Sequence, residues 1–279
     1  MLFILNYLLP AAGVGGCIGI IVADGEITSS SGYGVVGSQD FVNFVKQAEQ
    51  RPDVKGIMIE INSPGGSAVA SREIYEAIRS TKKPTVAHIG EMGASGGYYI
   101  ALGADKIVAD PLAITGSIGV RTTIYEASSL LAKIGINATV VKSGELKDMG
   151  DVYRPMTDEE KKVFMDAINE VADDFRTTII YERSNNSRFS TANLDKVMDA
   201  RILTGKQAYE LGLVDELGSR QEARNAFGKE LGLGLDPQIC YFKPEAGFLS
   251  SLFSSMGRGI GETLAQNIKT ETTSSIEYK

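Results

Sequence analysis

The chain alternates short, continuous apolar runs with amphipathic stretches. Cys17-Ile18-Gly19-Ile20-Ile21-Val22, Gly56-Ile57-Met58-Ile59-Glu60 and Pro84-Thr85-Val86-Ala87-His88-Ile89 read as buried strands. Ser38-Gln39-Asp40 opens a helix whose Phe41, Phe44, Val45 and Ala48 make one apolar stripe. Strand 54–61, helix 67–82, strand 84–89, helix 95–104 and strand 106–109 then alternate as a right-handed βα coil. Parallel strands of such a coil are buried on both faces, so their apolar runs are unbroken. Further on, the pattern predicts a helix over 125–135 and a β-branched strand over 138–141. Thr157-Asp158-Glu159-Glu160 caps a long helix reaching about Arg183. Along it Phe164, Ile168, Val171, Phe175 and Ile179 recur at helical spacing, which predicts core packing first and a subunit interface second.

Both ends depart from this pattern. No charged residue occurs between positions 2 and 23, a length that could span a bilayer, yet Pro10, Gly13, Gly15 and Gly16 interrupt it. Residues 1–16 are therefore read as an apolar N-terminal segment, with 2–9 an anchor remnant or membrane-dipping piece, and 17–234 as the catalytic domain. A cleaved signal peptide is disfavoured because no positive region precedes the apolar run. Residues 235–279 form a C-terminal extension. Within it Gln238-Ile239-Cys240-Tyr241-Phe242 could add a final strand, 248–268 has amphipathic helical spacing suited to subunit packing, and 270–279 is a polar tail.

Composition narrows the chemistry. A net charge of −7 with no basic block argues against nucleic acid. Cys17 and Cys240 lie in apolar, strand-like contexts away from histidine, which predicts buried small hydrophobes rather than a disulfide or a zinc site.

Two glycine turns follow the apolar strands. In Gly93-Ala94-Ser95-Gly96-Gly97-Tyr98-Tyr99, Ser95 stands at a strand-to-helix turn where backbone N–H groups could stabilise an oxyanion formed at its Oγ. The other reading of these residues is tight helix packing alone. In Ile61-Asn62-Ser63-Pro64-Gly65-Gly66-Ser67, Gly65 and Gly66 permit a turn that offers a second amide donor, so Gly65, Gly66 and Gly96 are the candidate oxyanion hole. The single histidine, His88, falls inside a buried strand and reads as a satisfied core residue, which leaves lysine as the base. A free lysine has a pKa of about 10.4, so a lysine base must be desolvated. Lys147 follows the 138–141 run in a turn with Ser143 and Gly144; Lys142 is its rival.

Ser63-Pro64-Gly65-Gly66, the Ser95 turn, Thr115-Gly116-Ser117-Ile118-Gly119-Val120 and Lys142-Ser143-Gly144-Glu145-Leu146-Lys147-Asp148 occur in that order. Together with Arg201-Ile202-Leu203-Thr204-Gly205-Lys206-Gln207-Ala208 and Gly212-Leu213-Val214-Asp215-Glu216-Leu217-Gly218, they closely resemble the signal peptide peptidase A family of serine–lysine proteases. The resemblance covers about 18–218. It implies an α/β fold, the Clp protease/crotonase-like superhelix of repeated ββα units, in the half-length, single-domain form. It also implies Ser95 as nucleophile, Lys147 as general base and Ser117 as the hydroxyl that supports the lysine, with no cofactor or metal.

The resemblance further implies remnant signal peptides and other apolar segments as substrates, and association with the cell membrane. The partner it implies is a homo-oligomeric ring in which each dyad takes its serine from one subunit and its lysine from the next. Three alternatives use parts of the same residues. A stomatin-partner-type membrane protease shares fold and dyad, a crotonase-like acyl-CoA enzyme uses the paired amides without the serine, and a ring scaffold uses neither.

Overall fold

The computed structural model describes residues 15–30, 32 and 34–243. The apolar segment 2–9, the amphipathic stretch 248–268 and the polar tail 270–279 lie outside the described residues. Among the described residues no helix is long and apolar enough to cross a membrane.

The organising layer is a mainly parallel sheet. Its strands are β1 (Cys17–Asp24), β4 (Val54–Ser63), β5 (Thr85–Ala94), β6 (Lys106–Ala109), β7 (Ile114–Gly116), β8 (Ile202–Thr204), β9 (Glu216–Leu217) and β10 (Ile239–Phe242). They run in the order β10-β1-β4-β5-β6-β9, and β7 pairs with the far end of β5 and, antiparallel, with β8. A separate parallel pair, β2 (Glu26–Thr28) and β3 (Val35–Gly37), follows β1. The expected βα alternation is present: α1 (Ser38–Gln50), α2 (Ala68–Ser80) and α3 (Gly96–Ala101) connect successive strands.

Strand β4 shows why its apolar run is unbroken. Ile57, Ile59 and Ile61 face a core completed by Ile74 and Ile78 of α2 and Ile100 of α3. On the other side Met58 joins Ile18, Ile20, Val86 and Val108 beneath Ala223 and Phe227 of α8 (Arg220–Glu230). Gly56 is required there, since a methyl at that position would sit 2.5 Å from the Phe227 ring.

Helix α4 (Ser128–Lys133) is shorter than the expected 125–135. Residues 138–141 form no strand, and Val141 is 96% exposed. A β-branched run becomes a strand only where a neighbour accepts its hydrogen bonds, and among the described residues none pairs with it. Helix α5 (Asp158–Arg183) starts with the expected capping box between Thr157 and Glu160. Of its apolar stripe only Phe175 and Ile179 are buried; Phe164 and Ile168 are half-buried, and Val171 is exposed. Core packing thus holds for the second half of the helix. There Arg183 is anchored to Asp215 (3.0 Å, Nη1 to Oδ2) ahead of β9, beyond α6 (Thr191–Asp195) and α7 (Gly205–Glu210).

Two further features depart from the sequence reading. β10 pairs along β1, Ile18 with Ile239 through Ile21 with Phe242, so the compact unit continues to Phe242 rather than stopping near 234. That pairing also brings Cys17 and Cys240 together as a disulfide, Cα to Cα 5.9 Å. Sequence separation, 223 residues, conceals such a contact, because only the parallel register of the first and last strands creates it.

Candidate active site

Ser95 follows the last residue of β5, and Ser117 follows the last residue of β7. The strands pair Met92 with Ile114, Gly93 with Thr115 and Ala94 with Gly116, so the two serines leave the sheet side by side. The Ser95 N–H donates to the Gly116 carbonyl (2.9 Å), the Ser117 N–H donates to the Arg201 carbonyl (2.9 Å), and buried Thr115 Oγ1 donates to the Gly93 carbonyl (2.7 Å). These bonds lock both strand ends.

Both serines take backbone conformations that L residues avoid, φ 53° at Ser95 and φ 50° at Ser117. Such conformations cost on the order of 1–3 kcal/mol each and persist only where the surroundings impose them. At Ser95, φ 53° with ψ −121° also has a chemical effect. Serine at a helix N-cap ordinarily spends its hydroxyl on the first turn, yet Ser95 makes no side-chain cap to α3. Its hydroxyl is left half-buried and uncommitted.

The Ser-Pro-Gly-Gly turn closes on this point. A methyl at Gly65 (φ +99°) would lie 2.6 Å from the Gly96 nitrogen and 2.9 Å from Ser95 Cβ, so only glycine permits the approach. A methyl at Gly96 would stand 3.3 Å from the Gly66 nitrogen and would collide with Ser71 Oγ. The Gly66 nitrogen therefore lies close to Gly96, next to Ser95 in the chain. The Gly65 N–H is spent on Ser63 Oγ at 3.2 Å, whereas among the described residues neither the Gly66 nor the Gly96 N–H has an acceptor. The pair fit to receive an oxyanion is Gly66 with Gly96, and Gly65 shapes the turn. The sequence reading does not single out Ser63; its signal is the hydroxyl two residues before a glycine amide, a common turn-closing bond.

His88 is buried on β5 with Nε2 against the Gly218 carbonyl at 3.1 Å. Burial holds its imidazole below the usual range, so it stays neutral and structural, as expected of a core histidine. Lys142, the rival base, is paired with Asp148 at 2.7 Å and donates to the Glu145 carbonyl.

Lys147 sits in an exposed turn where its N–H donates to the Gly144 carbonyl (3.1 Å). Among the described residues no hydrogen bond joins it to Ser95 or Ser117 within the protomer. The chain thus brings together Ser95, Ser117, Gly65, Gly66 and Gly96, and among the described residues no hydrogen bond ties Lys147 to them. The surrounding stretch, residues 121–156, carries exposed Tyr125, Leu130, Ile134 and Val141 and an open cavity of about 380 Å³ lined by Leu131, Ile136 and Tyr153. The sulfurs of Cys17 and Cys240 lie near Asp53, but they are bonded to each other and offer no thiolate to a metal.

Comparison with known proteins follows the same lines. The family model for peptidase family S49 matches residues 77–234, and that for Clp protease matches residues 21–129. A Methanocaldococcus jannaschii protein described as a protease is 35% identical over 231 residues, 80% of this chain and 73% of its own. Protease 4 of Haemophilus influenzae is 30% identical over 88% of this chain, which spans 40% of that protein. The chloroplastic serine protease SPPA of Arabidopsis thaliana is 32% identical over 74% of this chain and 31% of its own. A mutant of the 1510-N membrane-bound stomatin-specific protease, solved with a substrate peptide, superposes with a TM-score of 0.54 at 18% identity, over 87% of this chain and 98% of that one, a likeness of fold. The matched motifs, the Clp protease-like sheet and these relatives place the chain in peptidase family S49, as a serine protease.

Proposed function

We propose that this chain is a membrane-associated endopeptidase that uses a Ser95–Lys147 dyad to cut remnant signal peptides and other apolar segments. The observation that carries the reading is the convergence of the Gly65-Gly66 turn on Ser95, whose positive φ frees its hydroxyl beside two unspent amides. Neutral Lys147 takes the Oγ proton as Oγ bonds to the scissile carbonyl carbon, and the Gly66 and Gly96 N–H groups hold the resulting oxyanion. Collapse breaks the C–N bond, and the lysine returns its proton to the leaving amine. Water, deprotonated by the same lysine, then releases the acyl group and restores Ser95. The Ser117 hydroxyl, which leaves the sheet beside Ser95, contacts the Lys147 amine and helps hold its neutral form.

Lys147 is exposed in the protomer, and a lysine base needs a desolvated seat. The reading therefore places it against the Ser95 site of a neighbouring subunit in a homo-oligomeric ring, with the exposed apolar side chains of 121–156 covered by that contact. Residues 1–16 serve as the anchor to the membrane.

Mixing tests both halves of the reading. Ser95→Ala and Lys147→Ala are each inactive on a fluorogenic apolar peptide, and co-assembled they recover activity, because some interfaces then pair an intact serine with an intact lysine. Mixtures that stay dead although each variant assembles would overturn the shared dyad. Preferential cleavage of a stomatin tail over signal peptides would overturn the substrate class and leave the chemistry standing.

A further inference from the structure

The geometry points to Ser63 as the positioning residue that aims the oxyanion hole, an inference that rests on the reading of Ser95, Gly66 and Gly96 above. Ser63 ends β4 and is fully buried. Its hydroxyl works in both directions: Oγ donates to the Gly25 carbonyl at 2.6 Å and accepts from the Gly65 N–H at 3.2 Å. Its carbonyl oxygen lies 2.6 Å from where a methyl on Gly97 would be, so its backbone packs directly on the first turn of α3. A single residue thus touches both glycine turns and the β1–β2 corner.

What this does follows from peptide geometry. An amide N–H held by a side chain fixes the rotation of its peptide plane, and the plane that follows is then limited by the φ and ψ of the residue between. With the Gly65 N–H turned inward to Ser63, the Gly65 carbonyl accepts from the Ile27 N–H (2.8 Å) and the Ser67 N–H returns to the Ile27 carbonyl (2.8 Å). Between these two bonds the Gly66 N–H is left without an acceptor among the described residues. Without the Ser63 hydroxyl, the Gly65 N–H and the Gly25 carbonyl lose their buried partner. Each then gains by rotating toward another, and that rotation moves the Gly66 donor. Gly25 is itself held in place, since its N–H donates to the Asn62 carbonyl at 2.9 Å, so the corner offers a fixed reference rather than a soft one.

The test compares wild type with Ser63→Ala and Ser63→Cys, each with melting temperature and oligomeric state recorded. The thiol keeps the volume near that of the hydroxyl and is the weaker partner. Losing one aimed oxyanion donor costs about 10²–10³ in kcat, so a misaimed one should lower kcat roughly 10- to 100-fold in Ser63→Ala, less in Ser63→Cys, with KM within about threefold of wild type. Affinity for a peptide aldehyde, whose hemiacetal oxygen occupies the hole, should fall in step with kcat/KM across the series. Affinity for the matching product peptide should not change.

If Ser63→Ala does not fold, the Ser63→Cys pair of measurements carries the test. A folded variant with unchanged kcat, or one whose aldehyde and product affinities fall equally, overturns the inference and leaves Ser63 a packing residue. Failure of the underlying reading looks different: wild type itself would resist both the aldehyde and a fluorophosphonate aimed at Ser95, and the role of Ser63 would fall with it.

Discussion

Ser95 and Ser117 stand one residue past the paired positions Ala94 and Gly116 on neighbouring parallel strands, and both hold φ near +50°. Two neighbouring non-glycine residues at positive φ mark a place where the fold carries cost for geometry. Relieving the strain should therefore stabilise and inactivate together. Ser95→Gly should abolish hydrolysis while raising the melting temperature by a few degrees, the shift about 1 kcal/mol produces in a domain of this size. Calorimetry of the inactive variant checks it; a lower melting temperature would show that Ser95 is not strained.

Gly65 makes the opposite prediction. Its φ of +99° and the 2.6 Å clearance from a would-be methyl to the Gly96 nitrogen leave alanine no place to go. Gly65→Ala should lose at least about 2 kcal/mol of stability and nearly all activity, because the Ser95 turn must retreat. Gly232, also at positive φ (+72°) but with nothing within 4 Å of a methyl and outside the 121–156 stretch, is the control. Gly232→Ala should cost only the backbone strain and keep activity in a peptide assay.

The turn that carries Lys147 has its own acid limit. Arg154 bonds Asp148 (Nε to Oδ2, 3.0 Å) and Glu160 (Nη1 to Oε2, 2.9 Å), and Lys142 adds a second bond to Asp148. The Arg154 guanidinium, and after it Lys142, hold the Asp148 carboxyl well below the usual range. Arg154, and after it the Thr157 N–H, push Glu160 down to about 2. Both folded values lie below the unfolded ones near 4, so the stabilisation is complete above about pH 5 and is lost as the pH falls toward 2. Hydrogen exchange of residues 142–160 should thus accelerate selectively between about pH 4 and pH 2, and Arg154→Met should bring that opening to neutral pH. Uniform exchange along the chain would show that the cluster does not hold the segment.

The outcome along the chain separates what local pattern encodes from what pairing decides. Strands β1, β4, β5 and β6 were legible because their apolar runs are buried on both faces, and the glycine turns because Pro64 fixes the entry while Gly65 and Gly66 admit the positive φ that other residues avoid; the short pair β2 and β3 carried no such run. The run 138–141 carried the same β-branched signal and forms no strand, because strand formation needs a partner edge that sequence does not reveal. The first half of α5 shows the same limit for helices: Phe164 and Ile168 have the spacing of a buried stripe and are only half-buried, and Val171 is exposed, since periodicity defines a face and not its cover. At the site, Ser95 and the glycines were readable from their turns. The positive φ of Ser117 and the two-way bond of Ser63 arise from contacts with Arg201 and Gly25, distant in sequence.

The disulfide was hidden for the same reason, and it supports the most direct check of the sheet order. Cys17 opens β1 and Cys240 lies on β10, the edge strand, which holds to the sheet through four paired positions. So short an edge strand is easily lost, and the cross-link keeps it beside β1 when its hydrogen bonds open. Closing a loop of 223 residues removes much of the freedom of the unfolded chain, with typical disulfide gains of about 2–4 kcal/mol. Cys240→Ser, or reduction, should therefore lower the melting temperature by roughly 5–10 °C and expose β10 to hydrogen exchange first. Hydrolysis at 25 °C should persist, because Ser95 and Gly66 lie at the other end of the strands. Mass spectrometry after alkylation without reductant should find neither thiol modified; two alkylated cysteines in oxidised protein would place β10 away from β1.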